Sequence, residues 1–256
     1  MVKSHTDGYG RIEPPSCIWL GDMRFAGCNT DSQPVAVLIF LHTEALIDDL
    51  QQLTASSQQP FYACHDLSQQ VDSLDRVEAV FIEVNAPEGL SERLELVKSI
   101  RLSNQTACIF ILVTHTKSFS SINCYLAGVD HCLKLPVDPH EKKALLANAV
   151  GDSHWKVPAR LALDRTRLFL SGSSKKIEIS YTEMIILDAL LRAPQHVMSQ
   201  DDIAKTLDPN VVFYDPRALE KTISRLRTKI KKAYNVELIF SVRAYGYRLR
   251  RGSVSG

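Results

Sequence analysis

The chain has 256 residues, of which 45% are hydrophobic and 23% charged, with a formal net charge of +1. That is room for two domains of ordinary size with packed cores, in a chain too long and core-rich to need a disulfide framework, which excludes a small disulfide scaffold. The charge is uneven: residues 155–256 hold 19 of the 30 Lys and Arg but only 10 of the 29 Asp and Glu, so an acidic part precedes a basic part that is suited to nucleic acid.

Residues 1–33 show no period. They are either an arm that docks by Trp19 or a flexible extension. From Val35 apolar runs alternate with helical spacing. Val35–Leu41 is a continuous apolar run, as expected for a strand buried on both faces. Leu46, Ile47, Leu50 and Leu53 give Glu44–Leu53 a helical face. Pro60–Cys64 reads as a second strand and Leu67–Leu74 as a second helix. Ala79–Val84 is a third strand and Leu90–Leu102 a helix with Leu94, Val97 and Ile100 inward. Ala107–Val113 is a fourth strand, and Phe119–Ala127 a helix stopped by Gly128. Cys132–Leu135 is a fifth strand and Pro139–Val150 the last helix. This order predicts an α/β domain over residues 34–150, a doubly wound five-stranded parallel sheet with its chemistry at the carboxyl ends of the strands.

The six cysteines (Cys17, Cys28, Cys64, Cys108, Cys124 and Cys132) all lie in the acidic part and show no Cys-x-x-Cys spacing. Free thiols in a reducing cytoplasm follow, with no metal and no cofactor expected. No apolar run nears the roughly 20 residues that span a bilayer, and no signal-peptide pattern opens the sequence, so no membrane partner is expected.

Residues 151–154 form a short polar linker, and a second domain is expected over 155–251. Ala159–Leu163, Arg167–Leu170 and Lys176–Ile179 are short β-prone runs. Ser180-Tyr-Thr-Glu183 is a capping box opening a helix through Met184, Ile185, Leu187, Leu190 and Leu191. Ser199-Gln-Asp-Asp202 repeats the device before a short helix to Leu207. Asp215 suits an N-cap and Pro216 the first helical position. Leu219, Ile223, Leu226 and Ile230 then recur at steps of four, three and four and fall on one buried face. Arg217, Lys221, Ser224, Arg225 and Thr228 fall opposite. A helix that reads a groove needs cations for phosphates and an Arg or Lys able to fork onto a guanine edge; a solvated basic face gives the same pattern. Ile239–Val242 and Tyr245–Leu249 follow as a hairpin that includes Tyr247 and carries Arg243 at its tip.

Helix and hairpin together look like a winged helix. Ile223-Ser-Arg-Leu-Arg227 and Val242-Arg-Ala-Tyr-Gly-Tyr-Arg-Leu249 resemble the DNA-binding domain of the OmpR/PhoB family of bacterial response regulators, which implies an α+β winged helix-turn-helix fold. Ala244 stands where the family usually has glycine. Carried over by position, the resemblance implies that Arg225 and Lys221 meet base edges, that Arg227, Arg217 and Ser224 meet phosphates, and that Arg243 enters the minor groove, with Thr228 and Tyr247 also among the DNA contacts. It also makes Val211, Val212, Phe213 and Tyr214 candidates for contact with RNA polymerase, although an ordinary hydrophobic loop anchor fits equally well.

The first domain resembles the receiver domain of the same family through Phe81-Ile-Glu-Val-Asn-Ala-Pro87 and Gly128-Val-Asp-His-Cys-Leu-Lys-Leu-Pro136. In that family two acidic residues after the first strand hold magnesium, an aspartate on the third strand accepts phosphoryl, and a hydroxyl and a lysine bind its oxygens. Here the acidic pair is His42 and Thr43, the acceptor is Glu83, the hydroxyl is Thr114, and Leu135 stands at the lysine position with Lys134 one residue early. Magnesium wants carboxylate oxygens, which His42 and Thr43 lack. Cys132 replaces the aromatic switch residue. Family members pair through their fourth helix, fifth strand and fifth helix. Leu145 replaces the usual arginine of the last helix, which would exchange a salt bridge for burial in a homodimer.

The expected function is a sequence-specific DNA-binding transcriptional regulator and not an enzyme. It would act on double-stranded DNA and RNA polymerase without aspartyl phosphorylation and without need of a histidine kinase. It would be a constitutive dimer, or one controlled by a ligand or partner. The alternatives are a structural DNA-binding protein without sequence choice, or a redox-responsive regulator acting through Cys132.

Overall fold

The computed structural model describes residues 36–54, 61–63, 71–211 and 214–256. The N-terminal extension, and with it Trp19, lies outside the described residues. Strand β1 (Ala36–Phe40) is followed by helix α1 (Glu44–Thr54), β2 (Phe61–Ala63), a 3-10 helix (Val71–Arg76) and β3 (Val77–Val84). Helix α2 (Leu90–Ser103), β4 (Cys108–Val113), α3 (Ile122–Ala127), β5 (His131–Lys134) and α4 (Pro139–Gly151) complete the first domain. Its strands are parallel, in the order β2-β1-β3-β4-β5.

The period of two along a strand separates two cores. Leu38, Phe40, Val80, Ile82, Ile109 and Ile111 face Val97 and Ile100 of α2 and Cys124 of α3. Val37, Ile39, Phe81, Phe110 and Leu112 face Leu46 and Leu50 of α1 and Leu146 and Val150 of α4. Burial on both faces explains why β4 is apolar at every position. Two expectations need adjusting. Where a helix is expected over 67–74, residues 64–70 lie outside the described ones and the described part is the 3-10 helix beginning at Val71. Strand β5 ends at Lys134, so Leu135 follows it, buried, with its amide donating to the Val113 carbonyl.

Trp155 belongs with the first domain. It packs against the core shared by α1 and α4, and its Nε1 donates to Glu78 at 3.0 Å. The second domain opens with β6 (Leu161–Asp164), β7 (Phe169–Ser171) and β8 (Lys176–Glu178). These join β12 (Val254–Ser255) in a sheet ordered β12-β6-β7-β8. Helix α5 (Tyr181–Arg192), β9 (Val197–Ser199), α6 (Gln200–Leu207), α7 (Pro216–Tyr234), β10 (Ile239–Val242) and β11 (Gly246–Leu249) follow. The hairpin β10–β11 pairs antiparallel with β9. Strands β9 and β12 have three and two residues, too few for a sequence pattern to show.

Helix α7 begins as expected: the Asp215 side chain accepts from the Arg217 amide and Pro216 occupies the first position. Its buried residues are Leu219, Ile223, Leu226 and Ile230, which pack on Met184, Leu187 and Leu190 of α5 and on Ile203 of α6. Each such burial contributes about 1.5–3 kcal/mol. Among the described residues no helix is long and apolar enough to cross a membrane.

A polar tie fixes α7 against α5. The Ser180 hydroxyl caps the Glu183 amide, and Glu183 Oε2 accepts from the Ser180 amide at 2.8 Å, closing the capping box. The same oxygen accepts from Lys229 Nζ of α7 at 2.6 Å, and Glu183 is buried. Glu183→Ala orphans the Ser180 amide and leaves Lys229 with the Glu178 carbonyl at 3.4 Å, and is expected to cost about 1–3 kcal/mol, read as a lowered denaturant midpoint of the whole chain at unchanged slope.

Candidate functional site

Two sites follow from this frame. The first lies at the carboxyl ends of β1, β3 and β4. Glu83, near the end of β3, is 1% exposed and its carboxylate points at the ends of both neighbouring strands. Oε2 accepts from the amides of His42 at 2.7 Å and Thr43 at 3.0 Å. Oε1 accepts from the hydroxyls of Thr43 at 2.7 Å and Thr114 at 3.2 Å. Burial pushes the Glu83 carboxyl up, but the hydrogen bonds from Thr43, His42 and Thr114 outweigh it and hold the group below the ordinary glutamate range. The His42 imidazole turns outward, where Arg93 of α2 donates to its Nε2 at 2.9 Å.

Four of the six expected pocket residues, His42, Thr43, Glu83 and Thr114, thus come together. The other two do not. Lys134 is exposed, and its Nζ donates to the carbonyls of Thr116 at 3.1 Å and Lys117 at 3.0 Å, bracing the β4–α3 loop. Leu135 is buried in the core with α1 and α4. The one carboxylate in this site is saturated by four donors of the chain itself. Leu145 is half-buried on α4 and packs against its own domain's core.

The second site is the outer face of α7 and the tip of the hairpin. Arg217, Lys221, Ser224, Arg225 and Thr228 are exposed on that face, and Arg243 is exposed at the tip. Among the described residues the cations of Arg217, Lys221, Arg225 and Arg243 have no hydrogen-bonding or ionic partner within the chain, so they stand available to phosphates and base edges. Gly246 lies where β11 crosses β9, and a Cβ there would collide with the Met198 carbonyl. Ala244 at the tip adopts φ 58°, the left-handed region that glycine enters without strain.

Two residues expected among the DNA contacts are placed otherwise. Arg227 donates to the Ile239 carbonyl at 2.8 Å and to the Ser241 hydroxyl at 2.9 Å, so its guanidinium props the hairpin against α7. Tyr247 is 5% exposed within the core, 5.5 Å from that guanidinium, and offers no surface for DNA. Tyr247 faces inward with Leu249, two positions on along β11, and Arg227 flanks the buried stripe of α7 beside Leu226. In the polymerase-contact candidate, Val212 and Phe213 lie outside the described residues. Val211 and Tyr214 are half-buried, and the Tyr214 hydroxyl donates to Asp201 at 2.9 Å.

The sequence reading missed a buried cluster between the domains. Asp130 precedes β5, and its carboxylate lies between Arg101 of α2 and Arg251 of the second domain. Burial pushes the Asp130 carboxyl up, but the charges of Arg101, His154 and Arg251 and the Ile109 amide hold it far below the ordinary aspartate range. Cys108 and His154 also approach it with metal-ligand atoms within 4.8 Å of one another. Two guanidiniums already hold the carboxylate, and a divalent cation added beside them would meet like charge. The only sequence signal was an arginine beside the inward Ile100.

An exposed basic helix seated on a three-helix core and followed by a β-hairpin defines a winged-helix DNA-binding protein. Residues 174–249 match the family of transcriptional regulatory protein C-terminal domains. The transcriptional regulatory protein TrcR of Mycobacterium tuberculosis is 26% identical over 95% of this chain and 97% of its own length. The transcriptional regulatory protein PhoP of Escherichia coli is 23% identical over 65% of this chain and 76% of its own length. Among solved structures, the C-terminal domain of the nisin resistance regulator NsrR is 35% identical over 35% of this chain and 89% of that domain, with a TM-score of 0.31. Residues 174–249 thus place the second domain in the family of transcriptional regulatory protein C-terminal domains, and along most of its length the chain is similar to curated transcriptional regulators.

Removing the Glu83 carboxylate tests its part in the first site. Glu83→Ala orphans the His42 and Thr43 amides and is expected to cost about 2–4 kcal/mol, whereas Glu83→Gln keeps an acceptor for both and costs less than half of that. The folded-state pKa of Glu83 is depressed, so its stabilisation is full above the unfolded value and is lost as pH falls through the folded one. Urea midpoints measured from roughly pH 5 down to pH 3 should therefore fall less steeply for Glu83→Gln than for the wild type.

Proposed function

We propose that this protein is a sequence-specific transcriptional regulator whose N-terminal domain is a receiver-like, doubly wound five-stranded unit that works without aspartyl phosphorylation. The observation that carries this reading is the Glu83 carboxylate. It fills the acceptor position with a fixed negative charge and draws in the Thr114 hydroxyl. Phosphoryl transfer needs a metal and a cation to stabilise charge on the moving group. Here His42 and Thr43 stand where the magnesium carboxylates would be. Lys134 is committed to the Thr116 and Lys117 carbonyls instead. A histidine kinase is then not needed. Activity is set by abundance or by a ligand or partner protein, in the cytoplasm, and the protein acts as a homodimer that engages RNA polymerase at its promoters.

Two measurements test this. Intact mass after incubation with acetyl phosphate and magnesium should show no phosphoryl adduct. Sedimentation over a dilution series should give the same dimer with and without magnesium and beryllofluoride. A dimer formed only with beryllofluoride would overturn the reading of the pocket.

On the DNA side, Arg225→Ala should lose about 1–3 kcal/mol of discrimination at one base pair of a selected site. Arg217→Ala should weaken specific and random DNA alike and lower the slope of log affinity against log salt by about one. Equal losses from both variants on both DNAs would argue for binding without sequence choice.

A further inference from the structure

The cluster around Asp130 joins the two domains. Asp130 is 4% exposed; its Oδ2 accepts from Arg101 Nη2 at 2.6 Å and the Ile109 amide at 2.9 Å, and its Oδ1 accepts from Arg251 Nε at 3.2 Å. Arg101 is itself fixed by the Gly128 and Ala107 carbonyls, so the acidic end of the tie is rigid. On the other side, Arg251 Nη2 donates to Gln195 Oε1 at 2.9 Å, and Arg250 Nη2 donates to the Val157 carbonyl at 2.6 Å.

A second tie lies beside it. The Arg248 guanidinium of β11 is held between two rings, 4.7 Å from Tyr125 of α3 and 4.5 Å from Phe240 of β10. One ring belongs to each domain, so the cation–π contact spans them. Arg248 also lies near His131, whose pKa falls to about 4 through burial first and the Arg248 charge second; His131 is therefore neutral at neutral pH and does not repel the clasp. The surfaces are shaped for close approach. Gly128, at φ 107°, carries no Cβ, and one placed there would strike Gln195 from the other domain. Gln195 and His196 both adopt left-handed backbone, at φ 53° and 60°, on the segment that meets α3. Strain of this kind persists only where surrounding contacts hold it.

With these contacts closed, the outer face of α7 and Arg243 remain exposed. We infer that the α3–β5 face of the N-terminal domain is the docking surface for this chain's own winged helix, clasped through Asp130 and Arg248, and that the protein engages DNA in this closed form. A second copy then has to attach elsewhere than the part of α3 and β5 around Tyr125, Gly128 and Asp130, which the winged helix already occupies. Buried ion pairs are close to neutral in net energy, so the clasp acts chiefly by fixing orientation. The inference goes beyond the proposed independence from phosphorylation and stands or falls apart from it.

The test uses the full chain. Arg248→Gln combined with Arg251→Gln removes both ties and leaves the Arg101–Asp130 pair to fold the first domain. Asp130→Asn is a second variant that weakens the same junction from the other side. Solution scattering should fit the closed form for the wild type, alone and with a DNA site selected from random sequence. The double variant should show a larger radius of gyration and roughly tenfold faster amide exchange over 122–134, with DNA affinity no higher than wild type within about threefold. Scattering and exchange unchanged in both variants would overturn the clasp. DNA affinity raised by about tenfold or more on opening would overturn binding in the closed form. Protection over 122–134 that rises with wild-type concentration would place the second copy on this face and overturn the assignment.

Discussion

A carboxylate buried between two arginines constrains everything around it. Asp130 cannot be left alone in a dry interior, because an unpaired buried charge costs several kcal/mol. It therefore draws Arg101 into the end of α2 and Arg251 in from the far end of the chain. That pairing sets where β5 begins and where the winged helix sits. It also explains an arginine at 2% exposure among apolar neighbours. The basic helix α7 keeps its outward face because the second domain meets α3 and Asp130 through the Gln195–His196 segment, the hairpin and the segment after β11.

The pocket at the other end of the sheet follows the same rule with a different outcome. Glu83 is buried, and its charge is met by amides and hydroxyls rather than by cations. Hydrogen bonds to a charged acceptor are strong enough to keep it ionised. Lys134 can then serve elsewhere, and it holds the β4–α3 loop by two carbonyls. The site is locally complete with the groups of the chain alone.

Much of this was legible in the sequence. The four-residue stripe of α7, its Asp215 cap and the Ser180–Glu183 capping box read directly, because local periodicity and capping chemistry carry them. The gathering of His42, Thr43, Glu83 and Thr114 was readable through family resemblance. What was not legible depends on contacts remote in sequence. Arg227 and Tyr247 were expected among the DNA contacts through the family resemblance, yet one supports the hairpin and the other lies in the core. Asp130 and Arg251 are 121 positions apart, and no periodic pattern links them. Strands as short as β9 and β12 exist only because a partner strand is there to pair with.

The hydrogen bonds to Glu83 bear on time as well as on charge. An acyl phosphate on an aspartate is made by one enzyme and lost by hydrolysis, so its signal has a lifetime. A glutamate is installed by the ribosome and stays until the chain is destroyed. On the proposed reading, memory would last as long as the molecule does, and the response would be reset by dilution through growth, by proteolysis, or by a ligand or partner that changes its hold on DNA.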